Sequence, residues 1–309
     1  MNCILETRGL YKEFGAVTAA KDVNVRISKG EVVGVIGSNG AGKTTFINMV
    51  TGYLKPSRGE ILFNGQSIIG RTPRAITRAG MARSFQVAQL FPELTVLDNL
   101  LIALAGAESP FPSLLRPLRN DARIARAEAI LGEFSILAWR DSKVTAVPQG
   151  VRKLIDIAMA LIGDPQMLLL DEPTSGVSAE EKTQLMDTVM QVVTRHQVTV
   201  LFVEHDMDVV RRYDVDGIHL DDYFYPYPEG GRTFADGKSP AERRAYIDSF
   251  VSKLYSSVKS QKSWVRVGIS PFGIWRPGVP DGIEAGIDSF EHLAGDSRKW
   301  LKNGWVDYL

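Results

Sequence analysis

The chain has 309 residues, 44% of them hydrophobic and 23% charged, with 36 Lys+Arg balanced by 36 Asp+Glu. That length allows one large domain or two medium ones, each with a real core, and the charge balance excludes a general affinity for nucleic acid or anionic lipid. A single cysteine, Cys3, excludes an internal disulfide framework and fits a reducing compartment. The longest apolar stretch, Leu100–Ala107, is too short to span a bilayer. Met1–Glu6 lacks the basic and apolar regions of a signal peptide. The expected location is the cytoplasm, with any membrane role exercised through a partner.

The first strongly patterned element is the apolar run Val32–Ile36, which leads directly into Gly37, Ser38, Asn39, Gly40, Ala41, Gly42, Lys43, Thr44 and Thr45. A buried strand, a glycine-rich loop and a helix opening at Lys43 form a phosphate cradle, because backbone N–H groups can crowd phosphate oxygens where no Cβ blocks them. The helix N-terminus adds partial positive charge, Lys43 reaches the β- and γ-phosphates, and the Thr44 hydroxyl is placed to ligate Mg²⁺. A nucleoside triphosphate is therefore the expected ligand. Helical period follows at Leu97–Ala107 and Asp121–Phe134, around a loop marked by Pro110, Pro112 and Pro117. The basic run Arg116–Arg126 reads as a solvated helix face. Arg152–Leu161 is again helical in period. Met167–Leu170 is a short apolar run ending in Asp171 and Glu172, as in a strand of a parallel sheet buried on both faces, with ligands at its carboxyl end. Asp171 is placed to hold Mg²⁺ through water, and Glu172 to orient or deprotonate the attacking water. A third run, Val198–Val203, ends at Glu204-His205-Asp206. Its strand is expected beside the Asp171 strand, with His205 in reach of a γ-phosphate.

The order of these motifs resembles the ATP-binding subunit of an ABC transporter, and within that family the subunits of branched-chain amino-acid uptake systems. Ala82-Arg83-Ser84-Phe85-Gln86 followed by Leu90–Val96 resembles that group's Q-loop segment, and the likeness runs from about residue 5 to 213. The fold implied is an α/β P-loop ATPase over 1–212 with a helical subdomain at about 87–163. ATP and Mg²⁺ are the implied cofactors. By the same resemblance Phe14 stacks on adenine. Gln86 touches Mg²⁺ and the attacking water, and Gln89–Leu97 forms part of the groove for a transmembrane permease. Ser175–Ser178 is the D-loop and His205 the switch histidine. The implied assembly is a homo- or heterodimer of ATPase subunits, held at the inner face of the cell membrane only through the permease.

The signature segment departs from the family pattern. Where Leu-Ser-Gly-Gly-Gln is usual, this chain has Val147-Pro148-Gln149-Gly150-Val151. Pro148 supplies neither the hydroxyl nor a backbone N–H for a partner's γ-phosphate. Gly150 and the helix N-terminus remain. Ser178 stands where the D-loop usually has Asp. Such a chain fits a subunit whose own loop and carboxylates are intact while its signature serves a weaker site.

Beyond His205 the texture changes. Asp216–Pro228, Trp264–Pro277 and Trp300–Leu309 are dense in aromatics and resemble a bacterial glycoside-hydrolase-like family with a TIM-barrel fold, over 213–309. The resemblance implies a partial (β/α) barrel-like fragment, with Asp221 and Asp222 at a strand's carboxyl end. Glycoside hydrolysis generally needs a second carboxylate from another strand, and three of eight barrel strands form an open fragment with exposed faces and edges. Two readings of the junction stay open. The core either stops near 212, or Gly217–Leu220 supplies its next strand, Gly231–Gly237 another, and Ser239-Pro240-Ala241-Glu242 opens a closing helix, extending the core to about 247. Alternatives to an importing ATPase are glycoside-hydrolase-like activity from the tail and a module that binds ATP without hydrolysing it.

Overall fold

In the computed structural model the described residues are 3–15, 17–36, 42–108, 117–204, 216–221, 236–270, 276–279, 281–282 and 288–308. Two long strands, β1 (Cys3–Phe14) and β2 (Val17–Ser28), open the chain. Then come β3 (Val32–Ile36), α1 (Lys43–Val50), β4 (Arg58–Phe63), β5 (Gln66–Ser67), α2 (Pro73–Arg78) and β6 (Met81–Ser84). Three helices follow, α3 (Val96–Glu108), α4 (Asp121–Glu133) and α5 (Gln149–Leu161), where helical period predicts them. The chain then alternates β7 (Met167–Asp171), α6 (Ala179–Arg195), β8 (Thr199–Glu204), β9 (Gly217–Asp221), α7 (Pro240–Gln261) and β10 (Arg266–Ser270). It closes with the short helices α8 (Ser289–His292) and α9 (Ser297–Lys302).

These strands make two sheets. One is antiparallel, in the order β2-β1-β4-β5; the other has the order β10-β9-β3-β8-β7-β6 and is parallel throughout. Alternation along β7 shows why its sequence is apolar without interruption. Met167 and Leu169 pack with Phe46 and Ile47 of α1 on one face, and Leu168 and Leu170 pack with helices including α5 and α6 on the other. A helix layer on each side leaves no solvated face for polar residues.

The tail strands do not stand as an open fragment. β9 lies beside β3, with Leu220 opposite Ile36, and β10 lies beside β9. Asp216 anchors this seam: its N–H donates to the Val32 carbonyl at 2.8 Å, and its carboxylate accepts the Val32 N–H at 2.8 Å. Arg266 adds an ion pair to Glu31 at 3.0 Å. A capping box in which Ser239 and Glu242 satisfy each other's backbone N–H starts α7, with Pro240 at its first turn. β9, α7 and β10 thus form a β/α/β unit of the kind barrels repeat, continuous with the main parallel sheet. A satellite core of Ile247, Val251, Ile269, Ala294, Trp300 and Val306 packs under it. Of the aromatic tail residues, Trp300 is fully buried and Trp264 exposed, while Phe272 and Trp275 lie outside the described residues.

The basic run is only partly a solvated face: Arg119 and Arg126 are exposed but paired, and Arg123 is not solvated. Arg119 pairs with Asp98 of α3 at 2.7 Å, Arg123 is buried and pairs with Glu108 at 2.7 Å, and Arg126 pairs with Asp164. Each arginine ties α4 to a neighbouring segment, a role that helical period alone does not distinguish from solvent exposure. Arg116 lies outside the described residues.

Candidate nucleotide-binding and hydrolysis site

Because the six-stranded sheet is parallel, all its carboxyl ends meet at one edge, where open α/β sheets bind ligands. Register sets Asp171 opposite Val203, Ile36 opposite Glu204 and Ser84 opposite Leu170. The ends of β3, β8, β7 and β6 are thereby adjacent, and β8 lies beside β7 as its apolar run predicts.

At the end of β3, residues Gly37, Ser38, Asn39, Gly40 and Ala41 lie outside the described residues, as does His205 after β8. The helix that follows the loop is described. Gly42 caps α1 with φ 85°, in the left-handed region where a Cβ is penalised. Lys43 is buried at the first helical position, Thr44 is exposed and Thr45 half-buried.

At the end of β7, Asp171 is buried and forms an ion pair with Arg83 of β6 at 2.7 Å. Arg83 also donates to Asn48 Oδ1 of α1 at 2.6 Å, so one guanidinium joins the helix after the loop, the Asp171 strand and the strand leading to Gln86. Glu172 has φ 46°, unusual for a residue with a side chain, and such strain clusters at functional sites. Its carboxylate accepts a hydrogen bond from Gln86 Nε2 at 2.7 Å. Beneath this pair, the Lys153 ammonium donates to the Gln86 carbonyl and to the Glu172 carbonyl at 3.4 Å. Burial lowers the Lys153 pKa, opposed by the charges of Asp156, Glu204, Glu172 and Asp171. Glu204 is itself buried and accepts from the Thr174 N–H at 3.1 Å and the Thr174 hydroxyl at 2.7 Å.

Among the remaining candidates, Phe14 sits half exposed at the tip of the antiparallel sheet, with the Lys12 ammonium 5.0 Å from its ring centroid. An exposed aromatic there is free to stack. Pro148 caps α5 without a side-chain hydrogen bond, and Gln149 is exposed with Gly150 half-buried. Pro148 therefore offers no side-chain acceptor of its own to the first-turn amides of α5. Gly176 has φ 77° and Ser178 caps α6, its hydroxyl accepting from the Glu181 N–H. The described residues bring Gln86, Asp171 and Glu172 together directly, and Arg83 links them to α1. Phe14 on the other sheet and Pro148–Gly150 have no bond to this cluster among the contacts described. For the tail, Asp221 ends β9 at the same sheet edge, and Asp222 lies outside the described residues.

Arg83, Lys153, Asp156 and Glu204 carry no role in the sequence reading. A usable signal existed for two of them: Lys153 and Asp156 stand three apart on the buried face of α5, among Leu154, Ile157 and Leu161. Charges at core positions are rare unless paired.

Thr44, Gln86 and Asp171 offer oxygen donors only, which suits a hard cation such as Mg²⁺. Among the described residues no group of three His, Cys, Asp or Glu is placed to hold a metal alone. Mg²⁺ fits such a set when phosphate oxygens and water complete its shell.

The glycine-rich sequence 37–45 leading into α1, paired acids ending β7 and a glutamine bonded to the second acid fit the class of P-loop ATPases. Comparison with known proteins narrows the class. An ABC transporter family model matches residues 20–175, and a glycosyl hydrolase-like 10 model matches residues 167–309. The high-affinity branched-chain amino acid transport ATP-binding protein LivG of Escherichia coli (strain K12) is 34% identical over 215 residues, 67% of this chain and 84% of that protein. A probable branched-chain amino acid transport ATP-binding protein LivG of Archaeoglobus fulgidus is 35% identical over 239 residues, 76% of this chain and 89% of its own length. The crystal structure of the ADP conformation of an ATP-binding cassette of an ABC transporter superposes with a TM-score of 0.64 at 32% identity, covering 72% of this chain and 88% of that one. The chain belongs to the ABC transporter family and is an ATP-hydrolysing subunit of that kind.

Proposed function

We propose that this chain hydrolyses Mg²⁺-ATP to drive import of branched-chain amino acids or related small solutes through a transmembrane permease. The observation that carries this reading is the 2.7 Å hydrogen bond from Gln86 Nε2 to Glu172 beside the buried Asp171. On this reading Gln86 would orient the attacking water and Glu172 would act as general base, and their hydrogen bond supports their working at one point of the sheet edge. Lys43 and the amides of residues 37–45 would bind the phosphates, with Phe14 against adenine. Thr44, Gln86 and Asp171 would hold Mg²⁺, which when bound neutralises charge on the phosphates. Glu172 would take a proton from the attacking water, with His205 at the γ-phosphate. Pro148, Gln149 and Gly150 would face the nucleotide of a second ATPase subunit, identical or different.

A cavity of about 610 Å³ between α2, β6, α3 and α5 supports the permease partner. Tyr53, Arg74, Phe85, Gln89 and Met159 line it. Beside it Val87, Phe91 and Leu94 are exposed, while the Asn99 side chain holds the 91–95 loop through the Phe91 N–H at 2.8 Å and two carbonyls. No helix among the described residues is long and apolar enough to cross a membrane. Attachment to the inner face of the cell membrane would therefore run through the permease, from the cytoplasm. On this reading the ATPase core reaches about residue 247 with its helical subdomain at about 87–163, and the remaining residues extend its sheet.

The match of residues 167–309 to a glycosyl hydrolase-like model favours a second reading, carbohydrate hydrolysis. Strand order opposes it. In a barrel successive strands are neighbours, whereas β3 sits between β8 and β9 here.

Calorimetry of Mg²⁺-ATP on the full chain tests the proposal, with Lys43→Ala and Glu172→Gln beside it. Micromolar binding is expected, lost in Lys43→Ala; Glu172→Gln should keep binding and lose turnover by about 10³-fold. Absence of binding by the soluble wild-type chain would overturn it, and glycosidase activity surviving in Glu172→Gln would favour the second reading.

A further inference from the structure

Helix α5 carries two charges on its buried face, and both are spent on the backbone of one segment. Asp156 is buried, and its two carboxylate oxygens accept the Phe85 N–H at 2.9 Å and the Gln89 N–H at 3.1 Å. Lys153, fully buried, donates to the carbonyl of Gln86, which lies between those two amides, and to the carbonyl of Glu172. The backbone around Gln86 is therefore gripped through residues 85, 86 and 89, and the same ammonium reaches the main chain of the residue that Gln86 contacts by side chain. Burying these charges is unfavourable, and a packed Leu or Met would fill the volume more cheaply. Burial lowers the Lys153 pKa and raises that of Asp156, against the stabilising hydrogen bonds of Phe85 and Gln89. Glu204 and Asp156 supply the countercharge that keeps the ammonium tolerable.

We propose that Lys153 and Asp156 are positioning residues for hydrolysis, clamping Gln86 and Glu172 to α5 so that amide and carboxylate meet in one geometry. The inference rests on the ATPase reading. Neither side chain bonds to the other's target, so the two halves of the clamp can be removed separately. Since α5 begins just after Pro148, the clamp also fixes the helix bearing the signature segment against its own chain's Gln86.

The test uses the full chain with Lys153→Met, Lys153→Arg and Asp156→Asn, read by backbone hydrogen exchange and by steady-state Mg²⁺-ATP turnover. In Asp156→Asn, exchange at Phe85 and Gln89 should accelerate by about tenfold or more while β3 and β7 stay protected. In Lys153→Met, kcat should fall by about 100-fold with KM for ATP changed less than about threefold, and Lys153→Arg should recover most of kcat. Wild-type exchange at residues 85–89 in a folded Asp156→Asn chain would overturn the clamp. Parallel loss of kcat and ATP affinity in Lys153→Met with no recovery in Lys153→Arg would do the same, as it would indicate a merely structural role. If Lys153→Met does not fold, Lys153→Arg and Asp156→Asn decide by the exchange pattern. A wild-type chain that neither binds nor hydrolyses Mg²⁺-ATP would instead sink the ATPase reading, and exchange would still report on the clamp.

Discussion

Arg83 shows how much one side chain can organise. Its guanidinium pairs with Asp171 at 2.7 Å, donates to Asn48 at 2.6 Å and lies 4.7 Å from the Phe85 ring centroid, with a side chain only 9% exposed. A planar guanidinium can send separate N–H groups to different elements, here Nη2 to the Asp171 carboxylate and Nη1 to Asn48. Residues that orient a metal-binding carboxylate through such a bond typically matter tenfold or more to metal affinity. Arg83→Met should therefore weaken Mg²⁺ in the nucleotide complex by about tenfold. It should also destabilise the chain by about 3 kcal/mol, because Asp171 is left buried without its partner. Mg²⁺ titration of bound nucleotide and chemical denaturation read these two effects separately. An unchanged Mg²⁺ titration in a destabilised chain would confine Arg83 to a structural role.

At the scale of elements, the outer edge of the parallel sheet depends on one glycine. Gly268 of β10 pairs with Tyr308, whose phenol ring crosses so close that an added Cβ would lie 2.1 Å from it. Asp307 completes the edge, its N–H donating to the Val267 carbonyl at 2.7 Å and its carboxylate accepting the Val267 N–H at 2.7 Å. Burial pushes the Tyr308 pKa up to about 12 from an ordinary 10.0. The sign follows from which form is buried. Below pH 10.0 the neutral ring stabilises the folded chain in full, and that contribution is lost as pH rises through about 12, because the unfolded chain ionises first. Gly268→Ala should displace the ring and return its titration toward 10.0, as followed by tyrosinate absorbance with Tyr308→Phe to assign the signal. If the Gly268→Ala chain titrates as the wild type does, the close approach is not what holds Tyr308.

Over the whole molecule, the question is whether the tail and the ATPase core unfold together. Leu220 of β9 packs against both the main core and the satellite core, and β9 is hydrogen-bonded to β3 on one side and β10 on the other. Shared strands of this kind transmit loss of packing across a sheet. Trp300 is fully buried, and its indole N–H donates to Asp248 at 2.8 Å. Trp300→Ala removes that packing and should cost about 3–5 kcal/mol. With a continuous sheet, scanning calorimetry should show one transition that moves down as a whole. Two transitions, of which only the smaller moves, would show that the tail folds apart from the core.

What the sequence determined by itself was local and short in range. The strand Val32–Ile36 and the helix opening at Lys43, the acids after Met167–Leu170 and the period of α3 to α5 are legible because strand burial and helical spacing are written in consecutive residues. The family followed from the order of those motifs. Tertiary structure alone decided the rest. Asp171 and Arg83 are 88 residues apart, and Lys153 and Gln86 are 67 apart; no spacing rule connects them, and only the register of parallel strands and the docking of α5 bring them into contact. Arg123 of α4 reads as a surface residue until α3 is placed beside it. The tail is the clearest case. Its βαβ texture is equally suited to a barrel or to a doubly wound sheet, because both bury the same apolar strands between helices. The choice was made by β3, whose open edge accepts β9 and so separates it from β8.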